Sequence, residues 1–160
     1  GALSAYLILN LHIFPKWTSK VFMGDAGSML IGFVITAFLV RYSQSPKQIF
    51  MPVTALWLAA VPLMDIFVTS IRRLKQGKNP FHPDRTHVHH IFLKAGFQKE
   101  TALTVILLFQ AFTVAIGIYL ESKGNAPLSA ITFIALFLVY LLFIKHSFKA
   151  ARLLRKHFKI

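Results

Sequence analysis

Long apolar runs alternate with short basic stretches along this chain, and the lengths of the runs decide its class. A helix needs about 20 mostly apolar residues to cross a bilayer. Ile49 to Ile71, Thr101 to Leu120 and Pro127 to Ile144 reach that scale unaided. Ser28 to Val40 is short, but it lengthens to residues 24–41 if the stretch from Met23 to Gly27 continues the helix to the interface. Gly1 to Phe14 is shorter still and reads as the end of a helix whose start is missing. The pattern predicts an all-α, polytopic membrane helical bundle, a single membrane domain over 1–160. It is expected to have about five transmembrane helices, the first truncated, at 1–14, 24–41, 49–71, 101–120 and 127–144.

Two polar features interrupt the third run. Pro62 removes a backbone hydrogen bond, which predicts a kink. Asp65 follows within one turn, and a carboxylate at that depth is expensive in hydrocarbon. It is expected either to face the bundle interior or a wet cavity near the helix end, or to cap or pair within the bundle.

Composition strengthens the membrane reading. The chain is 56% hydrophobic and 14% charged, against about 25% charged in ordinary soluble domains. A net charge of +13 would also suit a nucleic-acid binder. Such proteins carry a basic stripe on a soluble fold, whereas here Lys and Arg sit between and after apolar runs, so no nucleic acid is expected as a partner. With no cysteine, a disulfide framework or thiolate metal site is excluded. The N-terminus lacks an initiator Met, a basic n-region and a small-residue cleavage site, so it does not read as a signal peptide. The chain is expected to be part of something longer.

Charge placement sets the orientation. Fifteen of the 18 Lys and Arg residues fall in 15–23, 72–100 and 145–160, leaving only Arg41, Lys47 and Lys123 for the other side. The positive-inside rule then puts loops 15–23 and 72–100 and the tail 145–160 in the cytoplasm. In the tail, Lys145, Lys149, Arg152, Lys156 and Lys159 recur at spacings of four, three, four and three, with Phe148, Ala151, Leu154 and Phe158 on another side. This predicts a basic amphipathic helix on anionic lipid, with a plain solvated tail as the alternative.

Candidate chemistry lies in the two cytoplasmic loops. Lys20 to Ser28 reads KVFMGDAGS, with Asp25 between Gly24 and Gly27 just before an apolar helix. Small residues allow close backbone approach to a ligand, and a carboxylate at a membrane boundary suits Mg²⁺. Asp25 or Ser28 could equally be an ordinary N-cap.

The second loop, Asn79 to Phe97, reads NPFHPDRTHVHHIFLKAGF and holds four of the seven histidines. Asp84 looks like an N-cap and Gly96 like the C-terminal stop of a helix over 85–95. On such a helix His87 and His90 share a face at i, i+3, while His89 points about 200° around from His87. The usual i, i+4 zinc pair is absent, so the spacing argues against a three-histidine metal site. Anion handling fits better: Arg85 offers a planar fork for phosphate oxygens, and imidazoles add donors that titrate near neutral pH. The alternative is a set of interfacial polar residues beneath lipid headgroups.

At these loops the sequence resembles a known family. VFMGDAGSMLIGF at Val21 to Phe33, PLMD at Pro62 to Asp65, and the histidine loop are similar to the polyprenyl-phosphate N-acetylhexosamine-1-phosphate transferases. GDAGS and PDRxHxHH are specific in combination, and the resemblance runs through essentially all 160 residues. The branch that transfers phospho-MurNAc-pentapeptide carries three consecutive histidines, whereas HVHH after PDR favours a UDP-GlcNAc-type donor.

The resemblance implies transfer of GlcNAc-1-phosphate from UDP-GlcNAc to undecaprenyl phosphate with release of UMP, in the bacterial inner membrane. That reaction initiates cell-surface polysaccharides such as O-antigen, the enterobacterial common antigen and lipopolysaccharide, with Mg²⁺ or Mn²⁺ as cofactor. By the same resemblance Asp25 matches an essential acid, a metal ligand, nucleophile or base. Arg85, His87, His89 and His90 match a phosphate-gripping, donor-positioning motif, with Asp84, Gly24, Gly27 and Asp65 in structural or orienting roles.

One departure matters: the family's upstream Asp-Asp pair and Asn/Asp-rich motif do not occur here. The chain is therefore expected to be a C-terminal half, inactive without the missing N-terminal half. The competing class is a noncatalytic membrane metal-binding or transport subunit, which gives no reason for Asp25 between Gly24 and Gly27.

The charge count is tested by reporter fusions. A fusion at Ser122 should report the periplasm and one after Ile160 the cytoplasm; a cytoplasmic signal from Ser122 would refute the assigned topology.

Overall fold

In hydrocarbon no water is present to receive backbone N–H and C=O groups, so a chain this apolar must pair them within its own segments. The computed structural model meets that demand with seven helices among the described residues and no strand. The described residues are 2–10, 22–44, 46, 48–79, 87–94 and 96–158, with the backbone alone for 2, 5, 8, 9, 94 and 147–158. In order they form α1 (Ala2–Asn10), α2 (Gly24–Gln44), α3 (Pro52–Leu58), α4 (Ala60–Lys75), α5 (Val88–Lys94), α6 (Lys99–Ser122) and α7 (Ala126–Phe158). The chain divides into two compact units, residues 1–42 and 43–160.

In the first unit, α1 has nine residues, too few to span a bilayer by itself. The helix α2 starts at Gly24, whose positive φ of 71° is costly for any residue with a Cβ. Its apolar side chains, Met29, Leu30, Phe33 and Ile35 among them, are exposed, as suits a surface meant for lipid or other helices.

In the second unit, α6 and the Ala126–His146 portion of α7 are long and apolar enough to cross. Together with α2 this makes three candidate spans among the described residues, or four if α3 and α4 count as one broken span. The sequence led to about five. The difference arises because α1 is short and because the third run bends by 82° between α3 and α4.

The bend falls at Ala59 (φ −115°, ψ 24°), three residues before Pro62. This is where a proline acts: its ring crowds the carbonyl four residues back, here that of Leu58, and it offers no N–H to that carbonyl. Gln110, midway along α6, restores the missing bonds. Its Nε2 donates to the carbonyls of Trp57 and Leu58, each at 3.2 Å, and its Oε1 accepts the Val61 N–H at 3.0 Å.

The start of α3 is finished in the same way by a distant side chain. Met51, its N-cap, has no side-chain cap of its own. Glu121, in the last turn of α6, accepts the Met51 N–H at 3.0 Å and the Thr54 hydroxyl. Between these two ties Trp57 is fully buried, donates Nε1–H to the Ser129 hydroxyl at 3.0 Å and meets Phe133 edge-on. Gly117 makes room for it: a Cβ there would come within 2.4 Å of the Trp57 Cβ.

Along α4, Ala60, Met64 and Val68 recur at i, i+4 and i+8 and face the bundle. They join Val88 and Ile91 of α5 and Tyr140 and Ile144 of α7 in one buried cluster. This cluster fixes the short α5 against the spans. The helix α7 runs 33 residues, about 50 Å at 1.5 Å per residue, beyond the roughly 30 Å of a hydrocarbon core. The basic tail thus continues the last helix instead of starting a separate one, and the side chains of its expected basic face beyond Lys145 lie outside those described.

Gln110→Leu leaves the Val61 N–H and two carbonyls unpaired in an apolar setting and should cost about 1–3 kcal/mol for each group that finds no other partner. Reversible unfolding in bicelles would measure it. An unchanged midpoint would show that the break does not depend on Gln110.

Candidate functional site

The helix α5 is only seven residues long, and its first N–H groups need partners that its own sequence does not provide. Asp65, in the second turn of α4, provides one. Its Oδ1 accepts the Val88 N–H at 3.0 Å and its Oδ2 lies 2.9 Å from Nδ1 of His87. One carboxylate therefore caps the helix and holds the ring beside it, and negative charge at a helix N-terminus is favourable. The structure shows Asp65 both capping α5 and pairing with His87, with its side chain still partly exposed.

The helix starts at Val88, three residues later than the sequence suggested, and His87 is its N-cap. The His87 carbonyl accepts the N–H groups of His90 at 2.9 Å and Ile91 at 3.3 Å. This corrects the arrangement of the rings. Because His87 lies outside the helix, the 100° per residue rule does not relate it to His89. The His89 ring is parallel to His87, with centroids 6.0 Å apart, and 4.0 Å from His90. Three imidazoles form one row, where the spacing alone turned His89 away.

The far end of α5 matches its expectation. Gly96 has φ 89°, the Phe97 N–H bonds the Phe92 carbonyl at 3.1 Å, and the two phenyl rings meet edge-on. This is a Schellman stop with its hydrophobic contact. Beneath α5 lies an apolar cavity of about 300 Å³ lined by Val61, Val88, Phe92, Ile106, Phe109 and Tyr140, with four further apolar side chains.

Within the row, the His89 pKa is lowered from the usual 6.5. Burial of the ring is the main cause; the neighbouring His90 and then His87 add to it, and Asp65 pulls the other way. The middle ring of the row is thus held toward its neutral form.

Of the other candidates, Asp84 and Arg85 lie outside the described residues. Asp25 belongs to the 1–42 unit, in the first turn of α2, and is exposed. The Ser28 hydroxyl donates to the Asp25 backbone carbonyl at 2.9 Å, so Ser28 is not the N-cap. Gly27 is tightly placed, since a Cβ there would meet the Met23 Cγ at 2.5 Å. Among the described residues no three of His, Cys, Asp and Glu group so as to hold a metal ion. Sequence reasoning missed Gln110; its signal was a lone amide in the middle of an apolar run, a side chain that hydrocarbon tolerates only with partners.

Comparison with known proteins adds to this geometry. The glycosyl transferase family 4 model matches residues 1–43. The chain is 41% identical over 158 residues to the undecaprenyl-phosphate alpha-N-acetylglucosaminyl 1-phosphate transferase of Escherichia coli O157:H7, covering 98% of this chain and 43% of that protein. It is similar to these transferases along almost its whole length. The proteins of the same name from Haemophilus influenzae and Yersinia pestis are 42% and 40% identical, each over 94% of this chain and 43% and 42% of their own lengths. The chain spans less than half the length of the curated relatives it matches. No solved structure matches it.

His89 should titrate below 6.5 by histidine ¹⁵N NMR. His90→Gln should raise the midpoint without restoring the ordinary value, because burial persists when the neighbouring charge is removed. A wild-type midpoint at or above 6.5 would contradict the arrangement.

Proposed function

We propose that this chain forms part of a membrane transferase that moves GlcNAc-1-phosphate from UDP-GlcNAc to undecaprenyl phosphate and releases UMP. The observation that carries the reading is the row of three imidazoles held on a carboxylate, in a chain about 40% identical to enzymes named for that transfer. A phosphate oxygen of the lipid attacks the sugar-linked phosphorus, and the bond from that phosphorus to UMP breaks. Little covalent chemistry is asked of the protein, so positioning and charge stabilisation carry the rate. Imidazole N–H donors are suited to the oxygens on which charge builds up. The apolar cavity beneath α5 supports a prenyl substrate by offering hydrocarbon surface beside these donors.

In this reading His87, His89 and His90 act on the phosphates with Arg85 as an added fork, and Asp84 orients the loop. Asp25 acts in the reaction from the glycine-flanked start of α2, also giving one oxygen to Mg²⁺ or Mn²⁺. A hard cation takes about six oxygens and keeps several waters. The described residues do not by themselves make such a site, so no step is drawn through the ion. The same reading sets the histidine row at the cytoplasmic face of the bacterial inner membrane, feeding O-antigen, common-antigen or lipopolysaccharide assembly.

Transfer of radiolabelled GlcNAc-1-phosphate to undecaprenyl phosphate, in membranes carrying the full protein, tests this. Asp25→Asn and His90→Ala should each lower the rate by about 100-fold or more, the scale of lost acid–base or oxyanion contacts. Undiminished transfer by both variants would sink the site assignment, and no transfer by the wild type would sink the reaction.

A further inference from the structure

Among the described carboxylates, Asp65 alone touches the histidine row, and it does so with both oxygens. The backbone N–H of Val88 can only donate, so Oδ1 is committed to it. An ionised carboxylate can only accept, so the ring nitrogen facing Oδ2 must carry the proton. His87 is thereby fixed as the Nδ1–H tautomer, leaving its Nε2 lone pair turned away from the carboxylate. The side chain of Asp65 is 18% exposed and that of His87 36%, so the carboxylate sits behind the ring and the ring faces outward. His89 lies parallel to His87 and His90 leans on His89, so the orientation of one ring carries to the others. Among the described residues Tyr140 of α7 is a further titratable group packed against α5, in the cluster with Val88 and Ile91.

We propose that Asp65 is a positioning residue that holds His87 with its proton on Nδ1, so that Nε2 takes the proton of a bound phosphate monoester. This rests on the phosphate-transfer reading only for the identity of the ligand. A monoester arriving as its monoanion has one O–H left. That bond breaks, an Nε2–H bond forms, and the products are a phosphate dianion and an imidazolium. Nε2–H then donates to the dianion while Nδ1–H stays on Asp65, whose charge stabilises the cation. The dianion is the form in which a phosphate oxygen is free to attack. The lipid acceptor is therefore the ligand assigned to His87.

Substitution of Asp65 by asparagine separates this from a cap that merely holds α5. An amide has one accepting oxygen and an NH₂ that only donates. With the oxygen on the Val88 N–H, the NH₂ faces Nδ1, which must then lose its proton. Asp65→Asn keeps the cap and reverses the tautomer.

Histidine-selective ¹⁵N NMR of the protein in lipid nanodiscs reads this directly, with the His87 signals identified by their loss in His87→Gln. The wild type should show Nδ1–H when neutral, Asp65→Asn should show Nε2–H, and Asp65→Glu should restore Nδ1–H. Inorganic phosphate at pH 7 should move wild-type His87 toward imidazolium and leave Asp65→Asn unmoved. An Nε2–H tautomer in the wild type, or the same tautomer in Asp65→Asn, would overturn the proposal without reference to activity. In transfer assays Asp65→Asn should lower kcat at least about tenfold with KM for UDP-GlcNAc within about threefold, the pattern of a contact made after donor binding. Equal kcat would also overturn it. The tautomer exchange without any wild-type transfer would instead reject the sugar-phosphate reading and leave the Asp65 assignment standing.

Discussion

A helix interrupted inside hydrocarbon leaves backbone N–H and C=O groups that no water can reach, each costing several kcal/mol if unpaired. The second unit is arranged around that constraint. Three side chains reach from one helix to the backbone at the end of another: Gln110 to the break between α3 and α4, Glu121 to the start of α3, and Asp65 to the start of α5. In each case a polar residue that would be a liability alone on its own span is matched by a backbone group that would be a liability on its neighbour.

This exchange makes the short helices possible. Seven residues of α5 would not hold a helix in isolation, since nucleation alone is unfavourable. Held by Asp65 at one end and stopped by Gly96 at the other, with Val88 and Ile91 buried against α4 and α7, the segment becomes rigid enough to carry three imidazoles in a row. The site is built by the same bond that satisfies the fold. Close packing supports it from further away: Trp57 sits against Gly117, which fixes α3 on α6 and so fixes where α4 departs.

Chemistry at the row depends on unlike rings. His87 has a carboxylate partner, while His89 is pushed toward its neutral form by burial and by its two neighbours. Asp65 holds only the His87 ring by a hydrogen bond, and His89 is the middle ring, so the three imidazoles stand in unlike surroundings.

Much of this protein is legible along the chain because it depends on local properties. Run length and composition suffice for an all-helical membrane bundle, since transfer of a segment to hydrocarbon is nearly a sum over its residues. Pro62 marks the neighbourhood of a break, Gly96 marks a helix stop, and the GDAGS and PDRxHxHH stretches carry the family resemblance. What the chain alone could not decide were relations between segments. The start of α5 moved from residue 85 to Val88, and His87 left the helix, where a carboxylate 23 residues before Val88 supplies the cap. That shift turned two separated faces of histidine into one row. Likewise no local signal says that Gln110 answers Pro62, since the bond spans 49 residues and exists only once α6 packs on α3. Sequence determines which groups must find partners in an apolar medium; only the tertiary structure decides which partners they find, because pairing is a property of distances in space.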